Sequence, residues 1–172
     1  KNLVKTILAN NGYTVIDLGK QVPAETIITK AVEVNATAIG LSALLVSTSK
    51  QMPLIVNELH RRKHQIPVLV GGAAINRRFG RRILQTEDGS NYESGVFYCK
   101  DAFEGLDTVD ALIDEEKRFD LLEKILKEST MELKRAAQAE TAAPSGQRSN
   151  VVPAPIPLPE KLGQRIVKNM PL

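Results

Sequence analysis

Apolar residues open the chain at helical spacing: Leu3, Val4, Ile7 and Leu8 share one face, and Asn11-Gly12 supplies a left-handed stop. Thr14 to Leu18 (TVIDL) reads as a short strand ended by Gly19. Val22-Pro23-Ala24-Glu25 starts a second helix with Pro23 in its first turn, and Ile27, Ile28, Ala31 and Val34 are its inward positions. Ala38 to Leu45 (AIGLSALL) does not alternate, as expected of a strand covered on both faces. Ser47, Thr48 and Ser49 are candidate caps for the next helix, whose stripe is Met52, Ile55, Val56 and Leu59. Pro67 to Val70 (PVLV) is another strand, closed by Gly71-Gly72, and Asn76 to Leu84 is a short basic helix. Thr86 to Tyr92 is a turn-rich loop, Val96 to Cys99 (VFYC) a strand, and Phe103 to Ile113 a helix.

Strands alternating with helices predict an α/β fold: a parallel sheet with helices on both faces. The order starts on a helix, so a first strand is expected ahead of it and is missing from this chain. Residues 1–113 form this core. Residues 114–140 shift to a charged amphipathic helix, with Phe119, Leu122, Ile125 and Leu126 as its stripe. Residues 141–162 read as a Pro-rich linker (VVPAPIPLP), and 163–172 as the start of a following domain.

Composition narrows the class. Of 172 residues, 42% are hydrophobic and 4% aromatic, which suits an aliphatic core. A net charge of +3 gives no case for nucleic acid or an acidic membrane as partner. No apolar run is long enough to span a bilayer, and no signal peptide is visible. Cys99 is the single cysteine, which excludes an internal disulfide and makes the cytoplasm the expected compartment. Lys1 opens directly into a helical pattern, so the chain reads as a piece of a longer protein.

In open parallel sheets, ligands bind beyond the carboxyl ends of the strands. At those ends stand Gly19, then Ser42-Ala43, then Gly71 to Ala74 (GGAA), then Asp101-Ala102. Small residues at successive strand ends leave a slot, and backbone without Cβ lets a large ligand approach. Ser42 can donate one hydrogen bond into it. Each glycine alone could mark a turn and each alanine could pack helix on sheet; the set together argues for a ligand.

The segments YTVIDLGKQVPAETII, IGLSALLVSTSKQM, PVLVGGAA and YESGVFYCKDA, in that order, resemble the cobalamin (vitamin B12)-binding domain of B12-dependent methionine synthases. The resemblance implies a flavodoxin-like (Rossmann-like) fold. It implies base-off cobalamin with its nucleotide tail threaded into a slot beside the sheet. Ser42, Gly71 and Gly72 would line that slot, with Ala43, Val46 and Ala73 beside them. Asp101 and Ala102 would lie near the tail or the corrin. The lower cobalt ligand would be a histidine of an Asp-x-His-x-x-Gly loop directly ahead of Lys1-Asn2, so no metal ligand is expected within the chain itself. Thr48, or the adjacent Ser47, matches a serine linked to that histidine through its aspartate. The implied function is a corrinoid-carrying module, not a complete enzyme. It would hold methylcobalamin for methyl transfer from methyltetrahydrofolate to homocysteine. Its partners would be folate-binding, homocysteine-binding and reactivation domains, and the Pro-rich exit and RIVKNMPL resemble the connection toward the last.

Other residues carry less. His60 and His64 stand among cations at a helix end and read as surface residues. Arg77, Arg78, Arg81 and Arg82 read as a solvated helix face, or as a contact to a neighbouring domain or to the phosphate of the nucleotide tail. Cys99 reads as a buried small hydrophobe, and VGGAAIN matches no nucleotide-phosphate loop. Two alternatives keep the fold: a corrinoid protein of another methyltransferase system, and a regulatory or scaffold domain that kept the slot and lost the ligand. A phosphoacceptor receiver would need an aspartate where Ser42 stands.

Overall fold

A computed structural model of the chain describes residues 2–141. In chain order the elements are α1 (Asn2–Asn10), α2 (Ala24–Glu33), β1 (Ile39–Ser42), α3 (Val46–Ser49), α4 (Gln51–Arg61), β2 (Val68–Gly71), α5 (Arg77–Leu84), β3 (Val96–Tyr98), α6 (Ala102–Ile113) and α7 (Glu115–Thr141). The three strands form one parallel sheet in the order β1-β2-β3. Parallel neighbours need a crossover, and α4 and α5 supply them.

Strand alternation sorts the helices. Val68, Val70 and Val96 point to a core that takes in Ile28 of α2, Val56 of α4 and Leu84 of α5. Phe97 and Cys99 point the other way and are also buried; the Cys99 thiol lies 3.7 Å from the Thr108 hydroxyl of α6. On that side α1 packs on α6, and the Tyr13 hydroxyl donates to Asp110. The expected α/β sheet with helices on both faces is therefore present.

α5 and α6 are among the helices that start on side-chain caps. The Asn76 amide oxygen accepts from the Phe79 N–H at 2.9 Å. One Asp101 oxygen accepts from Phe103 and Glu104 N–H at 3.0 and 2.9 Å. Each such cap contributes about 1 kcal/mol.

Four expectations change. Thr14–Leu18 joins no ladder, and Ile16 and Leu18 stay 47% and 38% exposed. An extended segment becomes a strand only beside a neighbour about 4.8 Å away, and none is present among the described residues. β1 ends at Ser42, so Leu44 and Leu45 leave the sheet. Val34, at the C-cap of α2, is 37% exposed rather than inward. Thr48 and Ser49 do not cap α4; their hydroxyls donate backwards to the Leu45 and Val46 carbonyls, each at 2.8 Å.

The arginines of α5 make contacts within the molecule, although Arg77, Arg78 and Arg82 stay exposed to solvent. Arg78 pairs with Glu132 at 2.6 Å and Arg81 with Glu128. Arg82 lies 5.5 Å over the Phe79 ring, and Arg77 is 3.6 Å from Glu104. The Ser129 hydroxyl donates to the Arg81 carbonyl at 3.3 Å. These contacts hold α7 against α5, and α7 also packs on α6. The Pro-rich stretch and the segment from Gly163 onward lie outside the described residues.

Candidate functional site

The carboxyl ends of the strands meet through their backbones. Ala43 N–H donates to Gly71 O at 3.1 Å, Ala74 N–H to Ala43 O at 3.2 Å, and Cys99 N–H to Val70 O at 2.9 Å. A Cβ on Gly71 would stand 2.8 Å from Cys99 O, and one on Gly72 would stand 2.4 Å from Ala43 O, at φ +109°. Both glycines are thus needed for the strand ends to touch. Their role is partly internal: they make a flat floor.

Above that floor Ser42, Gly72 and Ala73 are exposed. The Ser42 hydroxyl has no hydrogen-bond partner among the described residues. Beside it Leu44, Leu45 and Val46 are 77%, 60% and 69% exposed, and Phe103 is 66% exposed just past the end of β3. A partnerless hydroxyl on a flat glycine floor, next to bare aliphatic side chains, suits a large ligand that is mostly apolar with few polar edges. A corrinoid has that character, so these residues fit it.

The structure brings Ser42, Ala43, Gly71, Gly72 and Ala73 together. Val46 and Thr48 ride on α3, and the Thr48 hydroxyl is occupied by Leu45 O. Asp101 and Ala102 begin α6, with the Asp101 carboxylate occupied as its cap and Ala102 buried. Leu44, Leu45 and Phe103 were not singled out by sequence. The first two looked like strand, and only the end of the ladder at Ser42 exposes them.

Residues 1–86 match the family model of the B12 binding domain. The chain belongs to that family. Methionine synthases from Mycobacterium tuberculosis (strain ATCC 25618 / H37Rv) and Mycobacterium leprae (strain TN) are 37% and 38% identical to it over 115 residues. The match covers 66% of this chain, and the chain spans 9% of each relative. Among solved structures, the methanol:cobalamin methyltransferase complex MtaBC from Methanosarcina barkeri matches with a TM-score of 0.57 and 25% identity. That match covers 72% of this chain and 45% of that chain.

The remaining reactive groups lie apart from the floor. Burial pushes the Cys99 thiol up to about 11, which leaves it an inert core group. His60 lies half-buried at the surface: its Nε2 is 3.0 Å from Asp88 Oδ2 and 3.2 Å from Ser90 Oγ. Among the described residues no three His, Cys, Asp or Glu side chains could hold a metal ion, and no helix is long and apolar enough to cross a membrane.

Proposed function

We propose that this chain is the corrinoid-carrying part of a methyltransferase of the methionine synthase type, holding methylcobalamin for transfer from methyltetrahydrofolate to homocysteine. The observation that carries the reading is the floor at the strand ends in a chain of the B12-binding family. Identity to the two mycobacterial methionine synthases supports the specific system. When bound, cobalamin would supply the methyl carrier; the protein supplies binding and access. Gly71 and Gly72 keep the floor flat, and Ser42 donates a hydrogen bond to a polar edge of the nucleotide tail. Ala43, Val46, Thr48 and Ala73 border the tail, and Asp101 and Ala102 border it from the start of α6. Leu44 and Leu45 exclude water from one side. The resemblance assigns the cobalt-ligating histidine to a loop ahead of Lys1, and folate-binding, homocysteine-binding and reactivation domains to the parent chain. The compartment in this reading is the cytoplasm, supported by the free Cys99.

The likeness to the MtaBC complex favours a second system, a corrinoid protein that serves another methyl donor. Methyl transfer to homocysteine by the parent protein separates the two.

The test is cofactor retention. The chain, and a version extended upstream through the Asp-x-His-x-x-Gly loop, are mixed with hydroxocobalamin, freed of unbound cofactor and examined by visible absorption. The extended form should retain a base-off, histidine-ligated corrinoid. If neither retains any, the reading fails and a regulatory or scaffold domain becomes the better account.

A further inference from the structure

The described acids of α7 divide into two groups. Glu128 and Glu132 are paired with Arg81 and Arg78, and Glu123 is paired with Lys127 at 2.6 Å. Nearer the start of the helix, Glu115, Glu116 and Asp120 form no ion pair with a described residue, and neither does Glu93 in the loop opposite. These four surround Phe119, which is 69% exposed.

Phe119 is shared by two adjoining depressions. One, of about 470 Å³, has Phe119, Leu122 and Leu126 as its apolar floor and Asn91, Glu93 and Glu123 as its rim. The other, of about 480 Å³, is formed by Glu115, Glu116, Phe119 and Asp120. Among the described residues no cation lines either one. Positions 119, 122 and 126 repeat at i, i+3 and i+7, the spacing of a ridge that accepts a second helix. The groove is apolar at its base and negative around it.

From this geometry we infer that the groove between the first half of α7 and residues 91–93 docks a protein partner through a basic amphipathic helix. An aliphatic residue of that helix packs on Phe119, and its lysines or arginines meet Glu93, Glu115, Glu116 and Asp120. Charge complementarity selects this partner over an acidic or neutral segment, because unpaired carboxylates repel a second acidic helix and gain from a basic one. The inference is independent of the corrinoid reading, since none of these residues belongs to the floor at the strand ends.

The probe is a fluorescent helical peptide of leucine and lysine with leucines at i, i+3, i+4 and i+7; its leucine–glutamate counterpart is the control. Binding to the full chain is followed by anisotropy at low and high salt. Two variants accompany it, Phe119→Ser and the double Glu116→Lys/Asp120→Lys, each checked for native circular dichroism. Both sites are exposed, so the fold should persist. The basic peptide should bind, with affinity falling as salt rises. Phe119→Ser should weaken it at least about tenfold, and the charge reversal should weaken it and flatten the salt dependence. No binding, equal binding by both variants, or equal binding of the acidic peptide would overturn the inference. So would self-association of the wild-type chain in sedimentation that Phe119→Ser abolishes, since the groove would then be an interface between copies.

Discussion

A Cβ on Gly71 would sit 2.8 Å from the carbonyl oxygen of Cys99, so the ends of β2 and β3 can be this close only without a side chain there. Gly72 is held more tightly still, at φ +109° with its missing Cβ against the backbone of Ala43. Gly40, in β1, has nothing within 4 Å of its Cβ position. Gly72→Ala should therefore cost roughly 2 kcal/mol or more through backbone strain and displacement of Ala43. Gly40→Ala should change stability by under about 0.5 kcal/mol. Urea unfolding of the two variants checks this; equal midpoints would mean the floor is not tightly packed.

Ser42 separates binding from stability. Its hydroxyl is exposed and satisfies no group in the described structure, so Ser42→Ala should leave the urea midpoint unchanged. If the hydroxyl meets a polar edge of bound cobalamin, the same change should lower affinity about two- to tenfold, the worth of one ordinary hydrogen bond. Equilibrium titration with hydroxocobalamin reads it. An unchanged affinity in a variant of unchanged stability removes Ser42 from the site.

Acid should loosen the end of α4 before the sheet. Arg61, then Arg62, hold the Glu58 carboxyl at about 2, below its ordinary 4.5. The Thr86 hydroxyl, then Ser90, hold Asp88 well below the usual carboxylate range. A carboxylate lowered in the folded state adds stability above its unfolded pKa and loses it as pH falls through the folded value. For Glu58 that window runs from about 4.5 down to about 2. The urea midpoint should be flat above about pH 5 and decline through the window. Glu58→Gln combined with Asp88→Asn should flatten the decline; an unaltered slope in that double variant would assign acid sensitivity elsewhere.

Local signals were legible and distant ones were not. The stripe of Met52, Ile55, Val56 and Leu59 is a helical period, and all four are buried in α4. The helix starting at Asn76 was readable, since a cap acts within three residues, whereas Asp101, read only as a site residue, also caps α6. Strand limits depend on a neighbour, which the sequence does not carry: Leu44 and Leu45 have strand-like side chains but no ladder. The arginines of α5 find Glu128 and Glu132 about fifty positions away, and His60 finds Asp88 across 28 positions. At the site, the small residues were readable as a set. The exposed Leu44, Leu45 and Phe103 became visible only once the sheet stopped.

The helices flanking Thr14–Leu18 fix the side of that segment on which an upstream strand would lie. α2 leads from that segment to β1 and packs with α4, while α1 precedes the segment and packs with α6 on the opposite face. Parallel crossovers are right-handed, so helices on opposite faces run across the sheet in opposite directions. A strand supplied ahead of α1 would therefore lie between Thr14–Leu18 and the outer edge of β1, which has no partner among the described residues. Hydrogen exchange should show the Val15 and Ile16 amides exchanging freely in this chain while Leu69, in the central strand, is protected. In a version extended upstream, Val15 and Ile16 should gain protection comparable to Leu69, and the whole sheet should unfold at higher urea. If the extension leaves those amides fast, the added strand does not enter the sheet there.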